Sequence, residues 1–260
     1  MSLMVIEQIG SISILRFAPS ELVVHGVASA TKAGGYIPST ASEALAQDST
    51  LFAVLDGPMF EKCSAGSYSS YTCGDPRFLL RDSIGNSINE NSDESSVGGT
   101  IFVKEGVAHY IRGGVVPAEI EIAVQGYPTL VVDGVNTAGT SGTNQDRVWR
   151  AALCIIRSSN GNEELAFAVG HDTMYGFAAS LIGAGAVYAV YTDGGGSGRL
   201  ATRDGFVGDS ENRRVPLWLG VRPSSGFSTV DVWPIVGVTA IVVVAGALGY
   251  VAYKELAKSR

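Results

Sequence analysis

Over the first 220 residues or so, apolar side chains recur with a period of two or gather in short uncharged runs, and turn-forming residues separate them. This pattern predicts strands. Segments 11–17, 21–27, 51–55, 100–104, 108–111, 120–124, 129–132, 148–156, 165–169, 186–191 and 217–221 all fit it. KEG and SSNGNEE sit between neighbouring runs as hairpin turns. The helical period is rarer. Residues 40–46 predict a short helix, with Ser39 or Thr40 as its cap and Glu43 in its first turn. A second helix is predicted from Met174, Phe177, Ala178, Leu181 and Ile182, which form one apolar face. Asp172 is its expected N-cap, and Gly183 and Gly185 can end it.

Two segments break the pattern. Residues 61–98 carry CSAGSYSSYTCGDP and NSINENSDESSVGG with little periodicity, and a loop of this length is either a surface insertion or a cover or docking loop for a protein partner. Residues 232–253 contain no charge and are long enough for the roughly 20 apolar residues of a membrane span. Trp233 stands near one end, Tyr250 and Tyr253 near the other, and Lys254, Lys258 and Arg260 follow. The expected fold class is therefore α+β: a mixed, mainly antiparallel sheet with packed helices, plus one C-terminal transmembrane helix in the bilayer. The expected organisation is a globular domain at 1–223, a linker at 224–231, the span at 232–253 and a basic tail at 254–260. The basic tail favours a globular domain outside the cytoplasm. The N-terminal MSLMVIEQIGSISILRF shows no secretory leader, a conflict that a location in a virus particle would remove.

With 260 residues, 46% of them hydrophobic and 17% charged, the chain can bury a large core, and its 33 glycines favour a turn-rich fold. A net charge of −7 without a basic stripe argues against a nucleic-acid partner. Cys63 and Cys73 could pair in an oxidising compartment, whereas Cys154 lies in the apolar AALCII. His25, His109 and His171 lack metal-ligand spacing, so no metal and no cofactor are expected.

The strongest chemical signal is AVYAVYTDGGGS at 186–197. A buried strand delivers Asp193 to its end, and Gly194, Gly195, Gly196 and Ser197 follow. Bare glycine amides can face an anion, and a carboxylate beside them suits chemistry at a phosphorylated centre. A tight turn would account for the same residues. The glycines lack the Walker lysine and the spacing of a dinucleotide fingerprint, which argues against nucleotide binding.

Five motifs in order resemble the phosphodiester glycosidase family, over about residues 39–223. They are LFAVLDGPMF, the proline-led segment ending VVDGVN, the arginine-bearing VWRAALC, the helix-to-strand unit HDTMYGFAASLIGAGAVYAVYTDGGGS and the closing RRVPLWLGV. Asp56 stands where the family usually has Asn, Pro58 replaces a small residue, and Gly198 replaces a second hydroxyl. The resemblance implies hydrolysis of a sugar joined through its anomeric carbon to a phosphodiester. Arg150 is then the first candidate for the phosphate and Arg214 the second, because a guanidinium donates in a planar fork. Gly194–Gly196 and Ser197 would bind phosphate or sugar oxygens, and Asp193 and Asp56 would serve as base, nucleophile or electrostatic stabiliser. Each has a plainer alternative: for Arg150 a pairing with an acid such as Asp146, for Asp56 a turn cap with Gly57, and for Asp172 a helix cap. The implied protein is a membrane-anchored glycosidase acting on glycan or sugar-phosphate polymers of an envelope. The competing expectation is a structural or glycan-binding membrane protein that keeps the fold without turnover.

Overall fold

The computed structural model describes residues 4–28, 36–57, 80–81, 87–89, 98–158, 160–195, 198–209 and 214–224. They fall within the first of two compact units, which spans Met1–Ser224. In chain order the strands are β1 (Ile6–Ile9), β2 (Ile12–Phe17), β3 (Leu22–His25), β4 (Val27–Ala28), β5 (Tyr36–Ile37), β6 (Ala53–Asp56), β7 (Leu80–Arg81), β8 (Ser87–Asn89), β9 (Gly99–Lys104) and β10 (Val107–Arg112). They continue as β11 (Ile122–Gly126), β12 (Thr129–Val132), β13 (Val135–Asn136), β14 (Val148–Arg157), β15 (Glu163–Asp172), β16 (Ala186–Gly194), β17 (Arg199–Thr202), β18 (Gly205–Gly208) and β19 (Trp218–Val221). The helices are α1 (Ala41–Gln47) and α2 (Met174–Gly183).

Three main sheets enclose one core. Their orders are β1-β2-β15-β14-β16-β12-β13, β10-β9-β11-β7-β8 and β18-β17-β6-β19-β3. Alternation sends Leu153, Phe167, Leu15 and Val190 from the first sheet, Ile101 and Val124 from the second, and Leu55, Leu200 and Leu219 from the third into that core. The opposite face of the first sheet is covered by α2, through Phe177, Ala178 and Leu181 against Ala152, Cys154 and Ala189. The opposite face of the third sheet is covered by α1, through Ala41, Ala44 and Leu45 against Val54, Ala201 and Trp218.

The α+β expectation is corrected: the described fold is mostly β-sheet. Every strand pairing in it is antiparallel. The described α-helices are only seven and ten residues long. The physical reason is the connections. Parallel neighbours need long, usually helical crossovers, and most links here are hairpin turns or loops. Two links carry an α-helix: α1 lies between β5 and β6, and α2 carries the chain from β15 over β14 to β16. The expected transmembrane helix is not among the described elements: no described helix is long and apolar enough to cross a membrane. Residues 232–253 lie outside the described residues, as do Cys63, Cys73 and most of the 61–98 loop.

The local helix signals are realised with one shift. Thr40 caps α1: its Oγ1 accepts from the Glu43 amide at 3.2 Å, while the Glu43 carboxylate accepts from the Thr40 amide at 2.8 Å. At α2 the cap is Thr173, whose Oγ1 accepts from the Gly176 amide at 3.0 Å. Asp172 instead ends β15, and its carboxylate accepts from the Thr173 amide at 2.8 Å.

Candidate active site

Two antiparallel partners bring the first set of residues together. Arg150, near the start of β14, stands opposite Gly194, at the end of β16. One step inward, Ala152 pairs with Tyr191, so Thr192 and Asp193 together face the single residue Ala151. This is a β-bulge, which sharpens local twist and re-aims side chains. The bulged strand is held on its other side by the Tyr191 amide, which donates to the Pro128 carbonyl at 3.1 Å. Pro128 itself follows a cis peptide bond with Tyr127.

Arg150 is buried, at 5% exposure. Its Nε donates to the Asp172 carbonyl at 3.3 Å and an Nη to the Asp146 carbonyl at 2.9 Å. The contact with Asp146 is to its main-chain carbonyl, where the sequence reading expected its acid group. The guanidinium carbon also lies 5.9 Å from the centre of the Tyr191 ring. Burial pushes the Tyr191 phenol up to about 12; Asp193 and, more weakly, Asp56 push the same way, while the charge and hydrogen bond of Arg150 oppose them.

Asp193 is half-buried, and its Oδ1 accepts from the Gly194 amide at 2.7 Å. The first glycine amide is thereby engaged by the adjacent carboxylate. A Cβ at Gly194 would fall on the Tyr191 hydroxyl, so glycine here makes room for a side chain of its own strand. Gly195 differs: its φ of +61° is left-handed and nothing crowds it. Gly196 and Ser197 lie outside the described residues.

Asp56 belongs to a second cluster, on the α1 side of the third sheet. It ends β6 at 0% exposure, beside Trp218 on β19. Its Oδ1 lies 4.0 Å from Nε of Arg199, which opens β17 and is also fully buried. The Arg199 guanidinium lies 5.9 Å from the centre of the Trp218 ring, and the Trp218 indole donates to Ser39 at 3.1 Å. Arg214 goes elsewhere: its two Nη atoms hold both oxygens of Glu43 at 2.7–2.9 Å, on the exposed side of α1. Its guanidinium is thus engaged at the start of a helix.

Sequence reasoning missed Tyr191 and Arg199. Tyr191 sits within a strand pattern that only the bulge turns toward Arg150. Arg199 is an arginine in an otherwise apolar alternation, RLA, directly after the glycine turn, and that interruption was the available signal. Among the described residues no cluster of three or more His, Cys, Asp or Glu side chains could hold a metal ion. The histidines are engaged otherwise: His171 meets Trp149 edge-on at 5.5 Å, His109 stacks on Phe102 at 5.2 Å, and His25 lies 3.3 Å from Gln47.

Comparison with known proteins completes the picture. The fold is similar to that of the zebrafish N-acetylglucosamine-1-phosphodiester alpha-N-acetylglucosaminidase catalytic domain, auto-inhibited by its pro-peptide, with a TM-score of 0.59, 11% identity, and coverage of 82% of this chain and 77% of that one. A hypothetical protein from Synechocystis matches with a TM-score of 0.48, 14% identity, and coverage of 83% and 60% respectively. Curated protein sequences give no match. The family profile described as phosphodiester glycosidase matches residues 48–222, two-thirds of the chain and all the elements that carry Asp56, Arg150, Tyr191, Asp193 and Arg199. The chain belongs to the phosphodiester glycosidase family.

Proposed function

We propose that this domain hydrolyses a sugar-1-phosphodiester bond in envelope or surface glycans. The observation that carries the reading is the β14–β16 bulge, which sets the buried Arg150 opposite Gly194 and next to the strand end that carries Asp193. In the proposed reaction the bond from the anomeric carbon to the phosphate oxygen breaks. Water supplies a hydroxyl to that carbon, and its proton leaves with the phosphate monoester or to solvent. The leaving group is a stabilised anion, so strong general-acid help is less necessary than for an ordinary glycoside. What the protein supplies is a cation for the phosphate, the role given to Arg150, and a carboxylate near the developing positive charge, the role given to Asp193.

The test is turnover of the methyl phosphodiester of N-acetylglucosamine 1-phosphate. Asp193→Asn and Arg150→Ala should each lower kcat/KM by about a hundredfold or more while the thermal transition is retained. Wild-type rates in both folded variants would refute the site.

A second reading, a glycan-binding domain without turnover, is favoured by the complete burial of Asp56 against Arg199, which suits a structural pair. Sugar binding without hydrolysis would select it. For location, we place the domain outside the cytoplasm, tethered at a bilayer, on the uncharged run 232–253 and the basic residues Lys254, Lys258 and Arg260 that follow it. Protease protection on intact membranes tests that placement.

A further inference from the structure

We propose that Arg147 determines specificity at this site: its guanidinium holds a second phosphate, so the domain prefers a substrate that repeats its phosphodiester to an isolated sugar-1-phosphodiester. The inference rests on the phosphodiester reading above and on the role given there to Arg150.

Arg147 and Arg150 meet at one residue, Asp172. Nε of Arg150 donates to the Asp172 carbonyl at 3.3 Å, and an Nη of Arg147 lies 3.7 Å from the Asp172 carboxylate. Asp172 stands opposite Val148 in the β14–β15 ladder, between the two arginines along the chain. The two differ in exposure: Arg150 is buried at 5%, whereas the Arg147 side chain is 67% exposed. A buried cation and an exposed one thus share a partner, the second of them at the rim.

The main chain that carries Arg147 is fixed on both sides. Before it, the 3-10 turn Gly142–Gln145 is tied back by the Gln145 side chain, whose amide donates to the Thr140 carbonyl at 2.6 Å. After it, Val148 enters the ladder with β15. The Asp146 carbonyl, next in the chain, accepts from Arg150 itself at 2.9 Å. The exposed side chain therefore starts from a defined point beside the buried one.

Arg147 is also loosely paired. Its 3.7 Å contact exceeds hydrogen-bond reach. The same carboxylate oxygen already accepts from the Thr173 amide at 2.8 Å. Arg214 shows the contrast, with both oxygens of Glu43 held at 2.7–2.9 Å. Exposed ion pairs contribute little, so exchanging Asp172 for a phosphate oxygen costs little. A repeating phosphodiester gives that exchange a purpose. The chain carries a net charge of −7 and repels a polyanion at a distance, so each further phosphate needs a cation beside the site. Arg150 is assigned the phosphate of the bond that breaks. Arg147 takes the next one, on the leaving-group side, and the reaction leaves that phosphate unaltered.

The test compares one phosphate with two. The methyl phosphodiester of N-acetylglucosamine 1-phosphate carries one. The second substrate esterifies the 6-hydroxyl of that unit with another N-acetylglucosamine 1-phosphate and carries two. In wild type, KM for the two-phosphate substrate should lie about fivefold below KM for the methyl diester, the size expected of an exposed ion pair. Arg147→Ala should erase this advantage, with the thermal transition retained and both kcat values within about twofold of wild type. The wild-type advantage should also shrink as salt is raised. Equal KM values in wild type, or an advantage that survives in Arg147→Ala, would overturn the proposal and leave the phosphodiester reading intact. So would a rise in KM for both substrates alike, which would make Arg147 a support for Arg150. Where wild type turns over neither substrate, calorimetric binding decides. Tighter binding of the two-phosphate ligand that Arg147→Ala abolishes would sink the hydrolytic reading and keep the role of Arg147. Equal binding, or none, would remove both.

Discussion

Two of the candidate phosphate ligands, Arg150 on the α2 side and Arg214 on the α1 side, are held in different ways. On the α2 side, Arg150 donates to two main-chain carbonyl oxygens and its guanidinium carbon lies 5.9 Å from the centre of the Tyr191 ring. On the α1 side three arginines meet carboxylates, Arg199 with Asp56, Arg214 with Glu43 and Arg222 with Asp48, while Arg203 donates to the carbonyls of Leu45, Ser49 and Leu51. A guanidinium committed to a carboxylate organises structure, as a strap between elements distant in sequence. One anchored by dipoles is better suited to bind an anion arriving from solution. The comparison separates candidate phosphate ligands from look-alikes on geometry, and it demotes Arg214.

The sharpest way to break that division is at Asp56 and Arg199, the pair that bears on both halves. Both side chains are essentially inaccessible. Removing one charge from a buried ion pair costs about 3–5 kcal/mol, whereas replacing both with apolar groups is often neutral. Arg199→Met and Asp56→Leu should each lower unfolding free energy in urea by that amount, and the double variant should recover most of it. Turnover decides the rest. If the restored double variant still hydrolyses substrate, the pair is structural and the α1 side holds no chemistry. If it is stable but inert, Asp56 belongs with Arg150 and Asp193, and the contrast between the faces dissolves.

A smaller effect is expected at Glu43, which serves two partners. Its carboxylate closes the α1 capping box and clamps Arg214. Glu43→Ala loses both, for about 1–2 kcal/mol, while Arg214→Ala loses only a half-exposed ion pair, for less than about 1 kcal/mol. Neither should change KM for a sugar phosphodiester. A marked rise in KM for Arg214→Ala would return that arginine to the phosphate and collapse the distinction drawn from its geometry.

What was legible in the sequence was local. The cap at Thr40, the apolar stripe of α2 and the strand ending at Asp193 each depend on residues within one turn or one hairpin. Glu43 lies 171 positions before the arginine that seizes it, and no periodicity joins them. The same holds for the meeting of β6 with β17 and β19, which buries Asp56 beside Arg199. The bulge that turns Tyr191 to Arg150 was hidden for another reason: it is a one-residue offset between β14 and β16, and strand patterns look alike on either side of such an offset. The α+β expectation counted a long C-terminal helix at residues 232–253, outside the described residues, beside two helices that turn out to be only seven and ten residues long. Here the hairpins and three sheets built most of the described domain.

The smallest effect tests whether the α1-side pairs are structural in solution. Asp48 ends α1 and accepts from the Thr50 amide at 2.9 Å, the Thr50 hydroxyl at 2.6 Å and Arg222 at 2.8 Å. Burial alone would raise its carboxyl, but the Thr50 bonds and then Arg222 outweigh that and bring it from 3.8 down to about 2. A carboxyl held low in the folded state binds its proton more readily when unfolded. Its contribution is therefore complete above the ordinary carboxylate range and drains away as pH falls from about 4 toward 2. Denaturation midpoints taken across that window should fall less steeply in Asp48→Asn than in wild type. The two curves should run parallel at neutral pH, offset by the lost bonds. Parallel curves through the acid range as well would mean that Asp48 gains nothing from its partners on folding. The α1 side would then lose its clearest case of a carboxylate–arginine strap.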